Sequence, residues 1–324
     1  MVNSLILTVT RQCNLRCSYC PTAKDGWPSL TPSDARRALS LFVERYGGGD
    51  VKVFGGEPLL VPDVVEAALD TARELDGIRR IYLSTNGLGL DRAGLARLTA
   101  HPKLILTISL DGKPEGNRRM RRALPGVADA YDHLMSLREE LVRFPRLVVT
   151  QTIAPSAARE MISNFEHLLE LGYRAFNFLP GYYIGWRADQ LEALRAGFDA
   201  MHGHISDAWR SGQRLYVRNL FTRARTPFFN TGLVVDADRT IHSSNVGLSG
   251  TLDDLRAQTR LGDLDQPPSA AELEQGAIAT SSLLAEHLPP HVWSSTLAVD
   301  AELTRFCNKL YPEYARYYKQ RRAA

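Results

Sequence analysis

Between residues 4 and 211, short β-branched apolar runs alternate with longer stretches in which apolar residues recur at helical spacing. The runs at 4–9, 51–54, 80–84, 104–110, 146–153 and 175–179 predict six strands. The stretches after them predict helices, near 32–46, 63–75, 91–98, 127–141, 158–171 and 188–211. The first helix carries its own punctuation. Thr31 suits the N-cap, Pro32 position N1 and Asp34 position N3, and Gly47-Gly48-Gly49 stops it. Gly172 fits the C′ position of the fifth.

Each strand–helix unit is close to the crossover length that parallel strands need. Right-handed crossovers then give an open doubly wound sheet or a barrel. The polar and glycine-rich clusters fall at the C-terminal ends of strands, where both architectures place their sites. An α/β fold with a partial (β/α)6 TIM-like barrel over residues 1–212 lets those clusters converge. After Gly212 the pattern changes. Short strands are expected at 215–217, 233–236 and 239–242, with a hairpin turn at 236–239 that lacks the Asn-Gly signature. Residues 243–265 read as loop, and helices resume near 270–284 and 300–321. Residues 213–324 thus form a smaller α+β extension.

Composition narrows the class. Apolar residues make up 44% of the 324, enough for a sizeable core. A formal net charge of +3 gives no reason to expect a nucleic-acid binder. No apolar run reaches membrane-spanning length, and the N-terminus lacks the features of a secretory signal, so no membrane association is expected. Few, clustered cysteines fit a reducing cytoplasm.

Three of the four cysteines are Cys13, Cys17 and Cys20, on the loop after the first strand. Thiolates are soft ligands, suited to iron–sulfur clusters and zinc. Three thiolates on three irons of a four-iron cluster leave the fourth iron open for chemistry. Zinc needs a fourth ligand, and the nearest histidine in sequence is His101. Disulfide pairing within the triplet leaves an odd cysteine. From spacing alone the cluster, the zinc site and inert thiols all stay open. Cys307 shares an apolar helical face with Leu303, Phe306 and Leu310, which favours a small buried hydrophobe.

Gly55-Gly56-Glu57, Ser84-Thr85-Asn86-Gly87 and Ser109-Leu110-Asp111-Gly112 stand at the next three strand ends. With the cysteine triplet they resemble the radical S-adenosylmethionine (SAM) superfamily over roughly the first 210 residues. The resemblance implies a [4Fe-4S] cluster on Cys13, Cys17 and Cys20, with SAM chelating the open iron. It places backbone oxygens of Gly55 and Gly56 and the Glu57 region at the cofactor ammonium, and Tyr19 by the adenine. Ser84, Asn86, Ser109 and Asp111 are expected to serve the ribose hydroxyls, and Arg121 the carboxylate. The usual His-Asp pair upstream of that arginine is Asn117-Arg118 here. Gln151, late in the fifth strand, is expected to face the cavity, and the aromatic loop 180–186 to wall the substrate site.

Residues 232–239 and 261–264 resemble a SPASM or twitch extension, but the cysteines for auxiliary clusters are missing. Phe229, Ser243 and Ser244 stand near their positions. The expected function is hydrogen abstraction from a peptide or small-molecule substrate, with flavodoxin or ferredoxin as reductant. No leader-recognition domain precedes the first strand, which weakens the peptide case. Without auxiliary clusters, epimerisation, rearrangement, lyase chemistry or cross-linking are favoured over oxidation. Two alternatives remain: a radical epimerase or lyase acting on a sugar or amino acid with Cys307 as hydrogen donor, and a non-catalytic zinc-binding module.

Overall fold

The computed structural model describes residues 2–221, 232–248 and 252–323. Among them the strands are β1 (Ser4–Thr10), β2 (Leu15–Cys17), β3 (Gly49–Gly55), β4 (Ile78–Thr85), β5 (Leu104–Ser109), β6 (Arg121–Ala123), β7 (Leu147–Ile153), β8 (Ala175–Pro180), β9 (Tyr216–Val217), β10 (Leu233–Val235), β11 (Thr240–His242) and β12 (Arg260–Asp263). The helices are α1 (Pro32–Tyr46), α2 (Pro62–Glu74), α3 (Arg92–Thr99), α4 (Pro114–Met120), α5 (Ala130–Ser136), α6 (Arg138–Arg143), α7 (Met161–Glu170), α8 (Ala188–Arg210), α9 (Asp253–Thr259), α10 (Ala270–His287) and α11 (Pro290–Ala323). The result is a mixed α/β fold on a large, mostly parallel sheet, as the alternation predicted. None of the described helices is long and apolar enough to cross a membrane.

By its contacts the chain divides into two compact units. The first comprises Met1–Ile108, Arg121–Leu147 and Thr226–His287. Its strands run in the order β12-β11-β10-β1-β3-β4-β5. β1 is nearly all buried and pairs in parallel on both sides, Leu5 standing opposite Val51 of β3 and Leu233 of β10. Such two-sided burial explains why β1 reads as a continuous apolar run rather than an alternating one. α1 covers this sheet with Ala35, Ala38, Leu39 and Phe42. Its Thr31–Asp34 capping box forms, and Gly47 closes it at φ 84.

The second unit comprises Ser109–Met120, Val148–Arg225 and Leu288–Ala324, with β7, β8 and β9 in that order. Phe165 meets Phe176 and Phe178 edge-on at 5.0 and 5.6 Å, and Phe306 stacks on Phe198 at 4.8 Å. α8 and α11 are also joined by Arg195–Glu302 and Arg305–Asp199 ion pairs.

Several local expectations change. The helix expected over 127–141 breaks at Leu137 into α5 and α6. Residues 114–123, between the fourth expected strand and the next expected helix, hold α4 and β6. Residues 243–265 hold α9 and β12 rather than loop alone, and α11 starts at Pro290, well before residue 300. α4, β6, α9 and β12 were hidden because such short pieces give too few repeats to register. Phe229 lies outside the described residues.

Candidate active site

The cysteine loop leaves β1 and passes through β2, so each thiol sits on a short, locally fixed segment. Cys13, Cys17 and Cys20 are half-buried and not joined in disulfides. The Leu15 N–H points at Cys13 Sγ at 3.4 Å, and Lys24 Nζ lies 3.2 Å from Cys20 Sγ. Burial pushes the Cys13 thiol up, with the Leu15 N–H opposing. At Cys20 burial pushes the same way, but Lys24 and hydrogen bonds around Thr22 outweigh it and the thiol is held below its usual range. Three soft sulfurs, one with an N–H donor and one with an ammonium beside it, suit thiolate ligation of a cluster.

The glycines at the end of β3 have a plain steric reason. A Cβ on Gly55 would meet the Thr10 carbonyl oxygen at 2.2 Å, and one on Gly56 would meet those of Gln12 and Arg11 at 2.2 and 2.3 Å. Their smallness therefore lets the end of β3 lie against the backbone that enters the cysteine loop, rather than only making room for a ligand. Gly56 and Glu57 donate backbone N–H bonds to Thr10 and Gln12 at 2.8 Å each.

Glu57 is 1% exposed. Its Oε1 accepts from Thr85 Oγ1 at 2.6 Å and Leu59 N at 3.0 Å, and its Oε2 from Asn86 N at 2.7 Å. Burial pushes its carboxyl up, opposed by these donors and by Arg121. The side chain thus ties the end of β3 to the end of β4. Asn86 is similarly engaged: Nδ2 donates to Asn14 Oδ1 at 2.7 Å and Oδ1 accepts from Leu88 N at 3.0 Å. Ser84 is half-buried on β4.

Arg121 opens β6, which pairs with β2 so that Arg121 stands opposite Cys17. Only 6% of it is exposed, and its guanidinium carbon lies 5.5 Å from the Tyr19 ring centroid. The first unit therefore brings together the cysteine loop, Tyr19, Glu57, Asn86 and Arg121. The β2–β6 ladder that does so spans three residues per strand, too few to read from sequence.

Ser109, Asp111 and Gln151 belong to the second unit. Asp111 Oδ1 accepts from Thr152 N at 3.0 Å, and Asn117 Oδ1 accepts from Asp111 N at 3.0 Å. Asn117, which replaces the usual histidine, thereby fixes the loop carrying Asp111. Gln151 donates from Nε2 to the Met161 carbonyl at 3.1 Å, while its buried Oε1 has no partner among the described residues. Asp111, Gln151, Thr152 and Asn164 line one small cavity with apolar neighbours. Cys307 is half-buried on α11, and burial pushes its thiol up to about 12, with Asp300 adding to it.

Residues 7–174, more than half of the chain, match the family model of the Radical SAM superfamily. The chain belongs to that superfamily: it is a radical SAM enzyme, and its cofactors are a [4Fe-4S] cluster and SAM. This membership removes the ground for a zinc-binding module. Among curated proteins it is 34% identical over 135 residues to a GTP 3',8-cyclase of Rhodopirellula baltica, covering 40% of this chain and 37% of that one. It is 30% identical over 187 residues to GTP 3',8-cyclase 2 of Mycobacterium bovis, covering 54% and 49%. It is 37% identical over 113 residues to bovine molybdenum cofactor biosynthesis protein 1, covering 33% and 17%. The chain spans less than half the length of each of these relatives. Among solved structures, native anSMEcpe with bound AdoMet aligns with a TM-score of 0.69 at 16% identity, over 95% of this chain and 99% of that one. Streptococcus suis SuiB bound to S-adenosylmethionine aligns with a TM-score of 0.60 at 15% identity, over 82% and 62%. At these identities the likeness speaks to the fold.

Proposed function

We propose that this enzyme abstracts hydrogen from a small polar metabolite, with purine nucleotides the first class to test, and that its reaction is redox-neutral. The observation that carries the enzymatic part is the pairing of β2 with β6, which puts Arg121 opposite Cys17 and over Tyr19. The substrate class rests on the sequence relatives, which are GTP 3',8-cyclases. Redox neutrality rests on the sequence, where only Cys307 stands outside the triplet.

When bound, the cluster and SAM supply a 5′-deoxyadenosyl radical that removes a hydrogen atom from the substrate. The chain's own residues orient and shield. Cys13, Cys17 and Cys20 hold the cluster. Arg121 offers a planar, buried fork to the methionyl carboxylate. The Gly55–Gly56 backbone offers carbonyl oxygens to the ammonium, while Glu57 keeps that backbone in place from behind. Tyr19 would offer its ring to the adenine. Ser84 and Asn86, and in the second unit Ser109, Asp111 and Gln151, are proposed as hydroxyl-binding groups. Residues 213–324 act as a cluster-free substrate cap, and a one-electron donor of the flavodoxin or ferredoxin type reduces the enzyme.

Anaerobic reconstitution tests this. The expected result is one four-iron cluster per chain and reductant-dependent formation of 5′-deoxyadenosine, with faster turnover when a purine nucleotide is present than with short peptides. A second cluster, or stimulation by peptides and not by nucleotides, overturns the respective part.

A further inference from the structure

The chain on both sides of the cysteine triplet is gripped by one ionic stack inside the first unit. Arg11, just before the triplet, is 0% exposed despite its charge. Its Nε donates to Asp236 Oδ1 at 3.1 Å, and its Nη2 pairs with Asp236 Oδ2 and donates to the Gly247 carbonyl at 3.0 Å. Asp236 opens the turn between β10 and β11 and also meets Arg256 Nε at 3.3 Å. Arg256 pairs in turn with Asp238. Both guanidiniums lie over the indole of Trp27, their central carbons 3.6 and 4.6 Å from its centroid. Trp27 belongs to the segment that follows Cys20, and the same segment donates the Ala23 N–H to the Leu248 carbonyl at 3.0 Å.

Two cations and two carboxylates balance, so the stack carries no uncompensated buried charge. A buried pair of this kind adds little net stability but fixes geometry, because any other arrangement strands a charge. The Trp27 face adds cation–π attraction to two partners at once.

We propose that Arg11 and Trp27 are positioning residues of the iron–sulfur loop, clasped by the β10–β11 hairpin through Asp236 and Arg256. The C-terminal part of the chain would thereby govern how firmly the cluster is held and how exposed it is to water. This rests on the assignment of Cys13, Cys17 and Cys20 as the cluster ligands.

Trp27 is half-buried, so Trp27→Leu is a substitution the fold should tolerate. In the protein without cluster, trypsin cleavage after Lys24 is expected to quicken by about five- to tenfold in Trp27→Leu, the loss of two cation–π contacts, and to change little in Trp27→Phe. In the reconstituted protein, Trp27→Leu should lose iron to a chelator faster by a similar factor. Its cluster midpoint potential should rise, since added water favours the more negatively charged reduced form. Asp236→Asn should act in the same direction. Unchanged cleavage, iron loss and potential in Trp27→Leu overturn the clasp. If the parent protein takes up no iron, the ligand assignment fails, while the cleavage arm still decides whether the loop is clasped.

Discussion

His242 shows how one side chain in this fold is tuned. It is 2% exposed on β11, its Nε2 2.9 Å from Thr240 Oγ1 and its Nδ1 3.2 Å from Thr259 Oγ1. Burial pushes its pKa from 6.5 to about 4, with Asp236 and Asp238 pulling it up and Arg256 and Arg11 pushing it down. Above pH 6.5 the ring is neutral in both folded and unfolded chain and pH does not matter. Between 6.5 and about 4 the unfolded chain takes a proton that the folded chain refuses, so stability falls as pH falls. Denaturant unfolding of the cluster-free protein at pH 7.5 and 4.5, about one unit above the unfolded value and near the folded one, should show this loss. His242→Gln, which keeps hydrogen-bonding capacity without titrating there, should lose less between the two. An equal loss in both proteins would assign the effect to other groups.

At the scale of elements, the end of β3 lies directly against the backbone that enters the cysteine loop. Gly56→Ala puts a Cβ on two backbone carbonyls, which no rotamer change can relieve. The expected cost is about 1–3 kcal/mol, as for other overpacked sites. Because the yielding side is the loop itself, iron uptake should fall as well. Gly203→Ala is the matched control. It lies on α8 with nothing within 4 Å of the added carbon, and should be neutral or stabilise the helix by up to about 1 kcal/mol. Equal unfolding midpoints for the two variants would discount the contact. The strand ends were legible in sequence because Gly-Gly-Glu and the β-branched runs before it are local signals. The β2–β6 ladder and the Arg11–Asp236 pair were not. One is too short to show a period, and the other joins residues 225 positions apart. Glu57 was legible as a special residue, but its three protein donors come from Leu59, Thr85 and Asn86, a grouping that only folding produces.

Over the whole molecule, the deciding quantity is the electron count. On the proposed function, each turnover would begin with one electron from the reductant, and hydrogen abstraction would leave the substrate with an odd electron. That electron must be removed, or matched by a hydrogen atom from somewhere. Four cysteines, three of them in the triplet, leave no thiol set for a second cluster. Cys307 is the remaining thiol, and it shares the second unit with Tyr182 and Asp300, whose phenol oxygen and carboxylate are 3.4 Å apart. Burial raises its pKa to about 12, so it is a protonated thiol at neutral pH, the form that can donate hydrogen. Its neighbour in sequence, Phe306, is 1% exposed and stacked on Phe198, which marks this turn of α11 as packing surface. We expect Cys307→Ser to keep about four irons per chain, the content of the one cluster type assigned. It should also keep parental SAM cleavage and product formation, with at most a modest loss of stability. A Cys307→Ser enzyme that releases 5′-deoxyadenosine but no product, or a product of altered stereochemistry, would make this thiol the hydrogen donor and the reaction an epimerisation.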